Sequence, residues 1–323
     1  MKSNLLVAPP VRPARTAKTW RLAIHGGAGV IEPGSLTAEA DAAYRAGLNA
    51  ALEAGARILR GGGTSLDAVE AAVRLLEDDP LFNAGKGAVY SAESRHELDA
   101  SIMDGRTRAA GAVAGVTRSR NPVSLARAVM EKSTHVLLSG AGADAFSLQQ
   151  GFEQVEPGYF RTEERWEQFQ RWRDKRTTAL DRTHAYGTVG AVALDQAGHL
   201  AAATSTGGTT GMHWGRVGDS PLIGAGTYAE DGKCAVSCTG TGEFFIRAAA
   251  ARQLRDRMAW RRESVQVAAN NTIKDIAKLG GEGGLIAIDA RGRVAFAMNS
   301  PGMYRGAVGS AAPARTAIYA AEK

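Results

Sequence analysis

Cysteine and aromatic residues are scarce in this chain, with two cysteines and 6% Phe, Trp and Tyr among 323 residues. Two thiols cannot build the dense bridge framework of a small secreted scaffold. Cys234 and Cys238 stand four apart in Cys-Ala-Val-Ser-Cys, a strand-like stretch without the His or carboxylate partners that would complete a metal set. They are expected to be buried thiols in a reducing cytoplasm. Long apolar runs are missing too, none approaching the ~20 residues of a membrane span. A soluble protein is expected, with no membrane partner.

Balanced charge excludes a further class. The formal charge is +6, yet Lys2, Arg12, Arg15, Lys18 and Arg21 lie in the first 21 residues with no acid among them, and the remainder is nearly neutral. A nucleic-acid binder would carry a basic face with interleaved aromatics, so no nucleic-acid partner is expected. Residues 1–20 hold three prolines and an apolar run, 5–8, too short for the core of a secretory signal. They read as a flexible basic tail.

What the chain has in quantity is glycine, 39 residues clustered in short runs without a collagen period. Such runs mark tight turns and close backbone approach. Residues 22–25 predict a strand followed by a turn at the glycines. Apolar residues at helical spacing predict helices over 37–60, 65–77, 122–130, 163–173, 243–260 and 263–279. The helix at 163–173, highly charged and containing Trp166 and Trp172, is expected on the surface. Residues 189–194, the turn 195–198 and residues 199–204 form a hairpin pattern, and residues 286–295 repeat its apolar, Asp and Gly positions. Strands, a helical pair and strands again point to sheets packed between helical layers. No low-complexity linker divides the folded part. The polar stretch 163–184 reads as an exposed connection.

That connection leads to Gly187-Thr188-Val189-Gly190. An internal Thr between glycines, entering an apolar strand, suits a protein that cuts its own backbone and uses the freed threonine as a nucleophile. Its hydroxyl needs a base. The new α-amine, with a reference pKa of about 8, can be that base on the same residue. Thr239-Gly240 offers a hydroxyl and an uncovered N–H for an oxyanion. Arg216 and Asp219, three apart, suit the carboxylate and ammonium of an amino-acid head group. Asn83 can orient a hydroxyl or an amide. Singly, each also has an ordinary reading: a strand beginning with β-favoured Thr, a Gly-rich turn, a surface ion pair.

Together, His25-Gly26-Gly27-Ala28-Gly29, Phe82-Asn83-Ala84-Gly85-Lys86-Gly87, Glu97-Leu98-Asp99-Ala100-Ser101-Ile102-Met103-Asp104-Gly105, Gly187-Thr188-Val189-Gly190 and the segments 204–208, 215–225 and 239–243 resemble the plant-type L-asparaginase/isoaspartyl peptidase family. The resemblance spans about residues 22–304, with the motifs in the same order. It implies an N-terminal nucleophile (Ntn) hydrolase of α+β class, a four-layer αββα sandwich with two mainly antiparallel sheets between helices. It further implies cleavage between Gly187 and Thr188 into an α subunit, residues 21–187 with a mobile linker from about 161, and a β subunit, residues 188–323, the two forming one domain. Thr188 would be the nucleophile, supported by Thr206 and Asn83. Thr239 and Gly240 would form the oxyanion hole, and Arg216, Asp219 and Gly242 would bind the substrate.

The reaction implied is release of L-aspartate from L-asparagine or a β-aspartyl dipeptide, without an organic cofactor. A structural Na+ would sit on backbone carbonyls of Leu76, Glu77, Asp79, Phe82, Ala84 and Lys86, and the assembly would be an (αβ)2 homodimer. Segment 209–214, Thr-Thr-Gly-Met-His-Trp, departs from the usual family text. Trp214 either narrows the pocket mouth or belongs to a freely varying solvent loop. The linker is unusual for its tryptophans and charge. A glycosylasparaginase-like hydrolase of N4-substituted asparagine shares the Thr nucleophile and the Arg216–Asp219 loop, but Thr206-Gly207-Gly208 and the early glycine run favour the plant type. A scaffold without activity is the remaining alternative; no Gly-x-Gly-x-x-Gly unit supports a nucleotide-binding module.

Overall fold

The computed structural model describes residues 19–174 and 187–322. Its larger sheet runs β12 (Ala312–Tyr319), β11 (Gly302–Gly309), β1 (Arg21–Gly29), β5 (Val189–Leu194), β6 (Leu200–Thr206), β2 (Leu98–Asp104), β3 (Ala110–Val116) and β4 (Leu137–Ser139). All neighbours are antiparallel except the β3–β4 pair. The smaller sheet is antiparallel throughout, in the order β10 (Val294–Met298), β9 (Gly283–Asp289), β8 (Cys234–Gly240), β7 (Thr227–Glu230).

Helices α1 (Ala38–Arg60), α2 (Ser65–Asp78) and α3 (Pro122–Lys132) cover the outer face of the large sheet, and α4 (Gly140–Gln149) packs at its β3–β4 end. Helices α6 (Gly242–Ala248), α7 (Ala250–Trp260) and α8 (Val265–Lys278) cover the small one. The inner faces of β1, β5 and β6 meet β8 and β9. The α+β class and the αββα layering are therefore as expected. One core lies between α1–α3 and the large sheet. The second, rich in alanine, lies between the sheets and under α7 and α8.

Local chemistry explains most boundaries. The Thr37 hydroxyl caps α1 by accepting from Ala40 N (3.2 Å), and Thr64 caps α2 through Asp67 N (3.1 Å). Pro122 opens α3, where its missing N–H costs nothing. The hairpin repeat has a physical counterpart. Asp195 Oδ1 accepts from Ala197 N and His199 N (2.9 and 3.0 Å), and Asp289 Oδ1 accepts from Arg291 N and Arg293 N (both 2.9 Å). Each Asp closes its turn in the same way, one hairpin in each sheet.

Three expectations are corrected. The glycines after His25 do not turn; β1 continues through them with a register shift between His25 and Gly27, paired to β11. Residues 243–260 are not one helix, because Ala249 takes φ 47° and separates α6 from α7. Helix α5 (Glu163–Asp174) is not merely a surface helix, since Arg165 and Phe169 are buried on it. Ahead of β1, Trp20 is buried and its carbonyl accepts from Ser310 N (3.2 Å). Residues 1–18 of the expected N-terminal tail, and residues 175–186 of the expected linker, lie outside the described residues. Among the described residues no helix is long and apolar enough to cross a membrane.

Candidate active site

Antiparallel register brings the first candidate pair together. Val189 pairs with Ser205 and Gly190 with Thr204, so Thr188, just before β5, falls opposite Thr206 at the end of β6. Side chains alternate across a strand, so Thr188, Thr204 and Thr206 share the inner face while Ser205 points the other way. Thr188 Oγ1 donates to Thr206 Oγ1 at 3.1 Å, and Gly208 N donates to the same oxygen at 3.1 Å. Thr188 is 8% exposed.

A buried polar chain fixes the backbone of Thr188. His25 Nδ1 donates to the Thr188 carbonyl (3.0 Å), so Nε2 must accept, and it does so from the Ser237 hydroxyl (2.8 Å). Ser237 in turn meets Thr204 Oγ1 (2.7 Å), which accepts from Thr227 Oγ1 (2.5 Å). Burial pushes the His25 pKa down to about 3, against the backbone bond that raises it, so the ring is neutral. Gly190 is required here: a methyl group at its Cα would collide with Ser237 Oγ and His25 Nε2.

A cleft opens beside this pair, lined by Gly187, Thr188, Thr206, Arg216, Asp219 and Gly240 with neighbouring loop residues. Asn83 and Thr239 are not in its lining. Asn83 lies against Gly187 and ties two loops together, accepting from Val89 N (3.0 Å) and donating to Gly208 O (2.8 Å). Thr239 is buried on β8, its Oγ1 accepting from Ala28 N (3.2 Å). Gly242 sits against both Arg216 and Asp219; a methyl group there would fall 2.9 Å from Arg216 Nη2 and from Asp219 Oδ1.

Electrostatics divides the cleft. Arg216 donates through Nε and Nη2 to the Glu243 carboxylate (2.9 and 3.0 Å), a bidentate fork. Asp219 is 3% exposed, and its Oδ2 has no hydrogen-bond partner. Burial pushes its pKa up to about 7, with Arg216 opposing and Glu243 and Asp99 adding to the shift. Asp99 is raised to about 7 by the same cause, although Gly115 N donates to it (2.8 Å). A cation entering beside Asp219 would supply the partner that Oδ2 lacks.

Four contributions escaped the sequence reading: the pairings of His25, Ser237 and Glu243, and the side chain of Glu77 behind the site, of which only the carbonyl was expected to take part. Glu243 follows the 239–242 turn directly, and an acid at that point was the available signal. Glu77 Oε1 accepts from Val123 N (2.9 Å) and Ser205 Oγ (2.7 Å), while burial raises its pKa to about 8 and keeps the carboxyl protonated at neutral pH. In segment 209–214, Thr209 lines the cleft and Met212 is buried, whereas Trp214 is 95% exposed and outside the cleft lining. Trp214 therefore does not narrow the mouth. Among the described residues no cluster of three or more His, Cys, Asp or Glu side chains could hold a metal. Cys234 and Cys238 are free and buried, and burial raises both thiols.

The asparaginase family model matches residues 18–318. An isoaspartyl peptidase of Escherichia coli is 51% identical over 292 residues, covering 88% of this chain and 91% of that protein. An isoaspartyl peptidase/L-asparaginase of Mus musculus is 42% identical over 88% of this chain and 86% of its own length. A plant-type L-asparaginase of Pyrococcus horikoshii is 41% identical, with 87% and 93% covered.

Proposed function

The chain belongs to the asparaginase family, and from that premise we propose that it is a self-cleaving threonine hydrolase that releases L-aspartate from L-asparagine and β-aspartyl dipeptides. The observation that carries this reading is the 3.1 Å hydroxyl contact of Thr188 with Thr206, in one cleft with Arg216 and Asp219.

In the intact chain the nitrogen of Thr188 is an amide and cannot act as a base. Attack of Thr188 Oγ1 on the Gly187 carbonyl carbon moves the acyl group from nitrogen to oxygen. Water then hydrolyses that ester, leaving a Gly187 carboxylate and a Thr188 amine. The amine next takes the hydroxyl proton as Oγ1 attacks the side-chain carbonyl carbon of the substrate. The oxyanion of the tetrahedral intermediate takes hydrogen bonds from Thr239 and from Gly240 N. Collapse expels ammonia or the peptide amine, which carries away the proton, and water cleaves the aspartyl ester on Thr188. Thr206 orients the nucleophile, and Asn83 fixes the loops around it. Arg216 holds the substrate α-carboxylate, Asp219 the α-ammonium, and Gly242 leaves room between them.

A structural sodium ion on the carbonyls of Leu76, Glu77, Asp79, Phe82, Ala84 and Lys86 belongs to the same proposal. The end of α2 suits a hard cation: Asp79 N makes the last helical bond, to Leu75 O (3.1 Å), and Pro80 has no N–H for the Leu76 carbonyl. The ion would stiffen the loop leading to Asn83. The family also supports a processed (αβ)2 homodimer, and two free buried cysteines support a cytoplasmic setting. The proposal is tested by assaying wild-type protein and Thr188→Ala on L-asparagine and a β-aspartyl dipeptide. Aspartate release by the wild type alone supports it; equal release by both would refute it.

A further inference from the structure

The tryptophan-bearing helix α5, which precedes the proposed cleavage site, and residues 209–214 meet in space. Trp172, near the end of α5, lays its ring on Gly211, where a methyl group would collide with it. Gly211 has φ 73°, so both its conformation and its open face call for glycine. Trp172 stacks on Phe169 (centroids 5.6 Å, 21°), and Phe169 packs on Tyr90 (5.4 Å), whose carbonyl accepts from Gly211 N (2.7 Å). Gly211 is thus gripped from side chain and main chain together.

The other end of α5 reaches a different loop. Arg165 donates from Nε to Gly87 O (2.8 Å) and from Nη2 to Leu81 O (3.3 Å), with Nη1 on Gln168 (3.0 Å). Its guanidinium is buried with carbonyl acceptors on both sides of the turn that carries Asn83. Burying a guanidinium this way costs desolvation, which the fixed carbonyls offset only while that turn keeps its shape.

We propose that α5 is a two-ended clamp in which Arg165 and Trp172 are positioning residues, Arg165 setting the Asn83 turn beside Thr188 and Trp172 setting the loop from Thr209 to Arg216. The transmission from Trp172 is short. Met212, next to Gly211, gives its carbonyl to Ala92 N (2.9 Å) and packs its sulfur against Gly208, and Arg216 N donates to His213 O (3.0 Å). Loss of the ring frees Gly211 and lets the Arg216 guanidinium drift, which weakens ground-state and transition-state binding alike and raises KM with kcat kept. Loss of Arg165 acts instead on the nucleophile side and lowers kcat. Both effects rest on the proposed roles of Arg216 and Asn83.

The test uses full-length protein that has been processed, as checked by intact mass, and L-asparagine as substrate. Trp172→Ala is expected to raise KM about tenfold with kcat within a factor of about two, and Trp172→Phe to restore KM. Arg165→Met is expected to lower kcat about tenfold with KM little changed. If Trp172→Ala does not fold, Trp172→Leu keeps an apolar cover without the flat ring and is expected to show the same KM rise. Wild-type KM in both Trp172→Ala and Trp172→Leu, or a loss of kcat that follows the folded fraction and is not relieved by Phe, overturns the clamp. Arg216→Lys measured alongside separates the premise: an unchanged KM there refutes the anchor assignment, whereas a raised KM with unaffected Trp172 variants refutes the clamp alone.

Discussion

The two halves of the cleft are built by different means. Thr188 and Thr206 stand on paired strands between two sheets, their positions set by a register that also pairs Val189 with Ser205. Arg216 and Asp219 stand on the loop between β6 and β7, outside any strand, and the same loop carries a solvent-exposed Trp214 at φ 58°. The Thr188 side is held by the sheet ladder and by a neutral, fully buried His25. The Arg216–Asp219 side is held by loop contacts: the Glu243 carboxylate on Arg216, and on Gly211 the ring of Trp172 together with the Tyr90 carbonyl. On the proposed roles, chemistry that needs sub-ångström placement lies on the rigid layer, and recognition lies on a loop that can be retuned without moving Thr188.

That division has a kinetic signature. Replacing Arg216 with Ala removes the charge that meets a substrate carboxylate and is expected to cut kcat/KM for L-asparagine about 10³-fold, mainly through KM. A fall carried by kcat alone would break the division. Thr206→Val removes the oxygen that receives the Thr188 hydroxyl and should lower kcat about 10²-fold at little cost in KM, with Thr206→Ser largely restoring it; steady-state kinetics of processed protein reads both.

The pH dependence sharpens the anchor side. Asp219 has its pKa raised to about 7 in the free site, and only the carboxylate attracts an ammonium group. Below that pH the protonated form dominates, so kcat/KM should fall as pH drops, approaching about tenfold per unit. Asp219→Asn should lower activity and remove the share of that limb due to Asp219, leaving the share set by protonation of the Thr188 amine; an unchanged profile would assign the limb to the amine or to another group such as Asp99. The smallest effect is expected at Trp214. It is exposed and outside the cleft lining, so Trp214→Ala should leave kcat and KM within about twofold of wild type.

Much of the architecture was legible because its signals are local. Apolar periodicity located α1, α2, α3 and α8, and the Asp–Gly turns identified the two hairpins that now lie in separate sheets. The break at Ala249 was not legible, because nothing in residues 243–260 is a helix breaker. It arises from the fold: Ala251 N and Arg252 N donate to Ala225 O and Gly224 O (3.0 and 2.9 Å), so α7 starts afresh on a distant turn. The glycines of β1 misled for the opposite reason, since they serve close packing rather than turning. At the site, motif residues were readable by type, while their partners were not. Ser237 lies 212 residues from His25, and Glu243 lies 27 from Arg216. No periodicity reports such pairs.

On the proposed mechanism, Thr188 becomes a free N-terminal nucleophile on the rigid half of the cleft. Intact mass of the purified protein under denaturing conditions, after incubation near neutral pH, tests it most directly, with Thr188→Ala in parallel. Two fragments whose masses place the break between Gly187 and Thr188, and a single full-length species for the variant, are the predicted result. Aspartate release by a protein that stays full-length, or a break at any other bond in the active preparation, would contradict it.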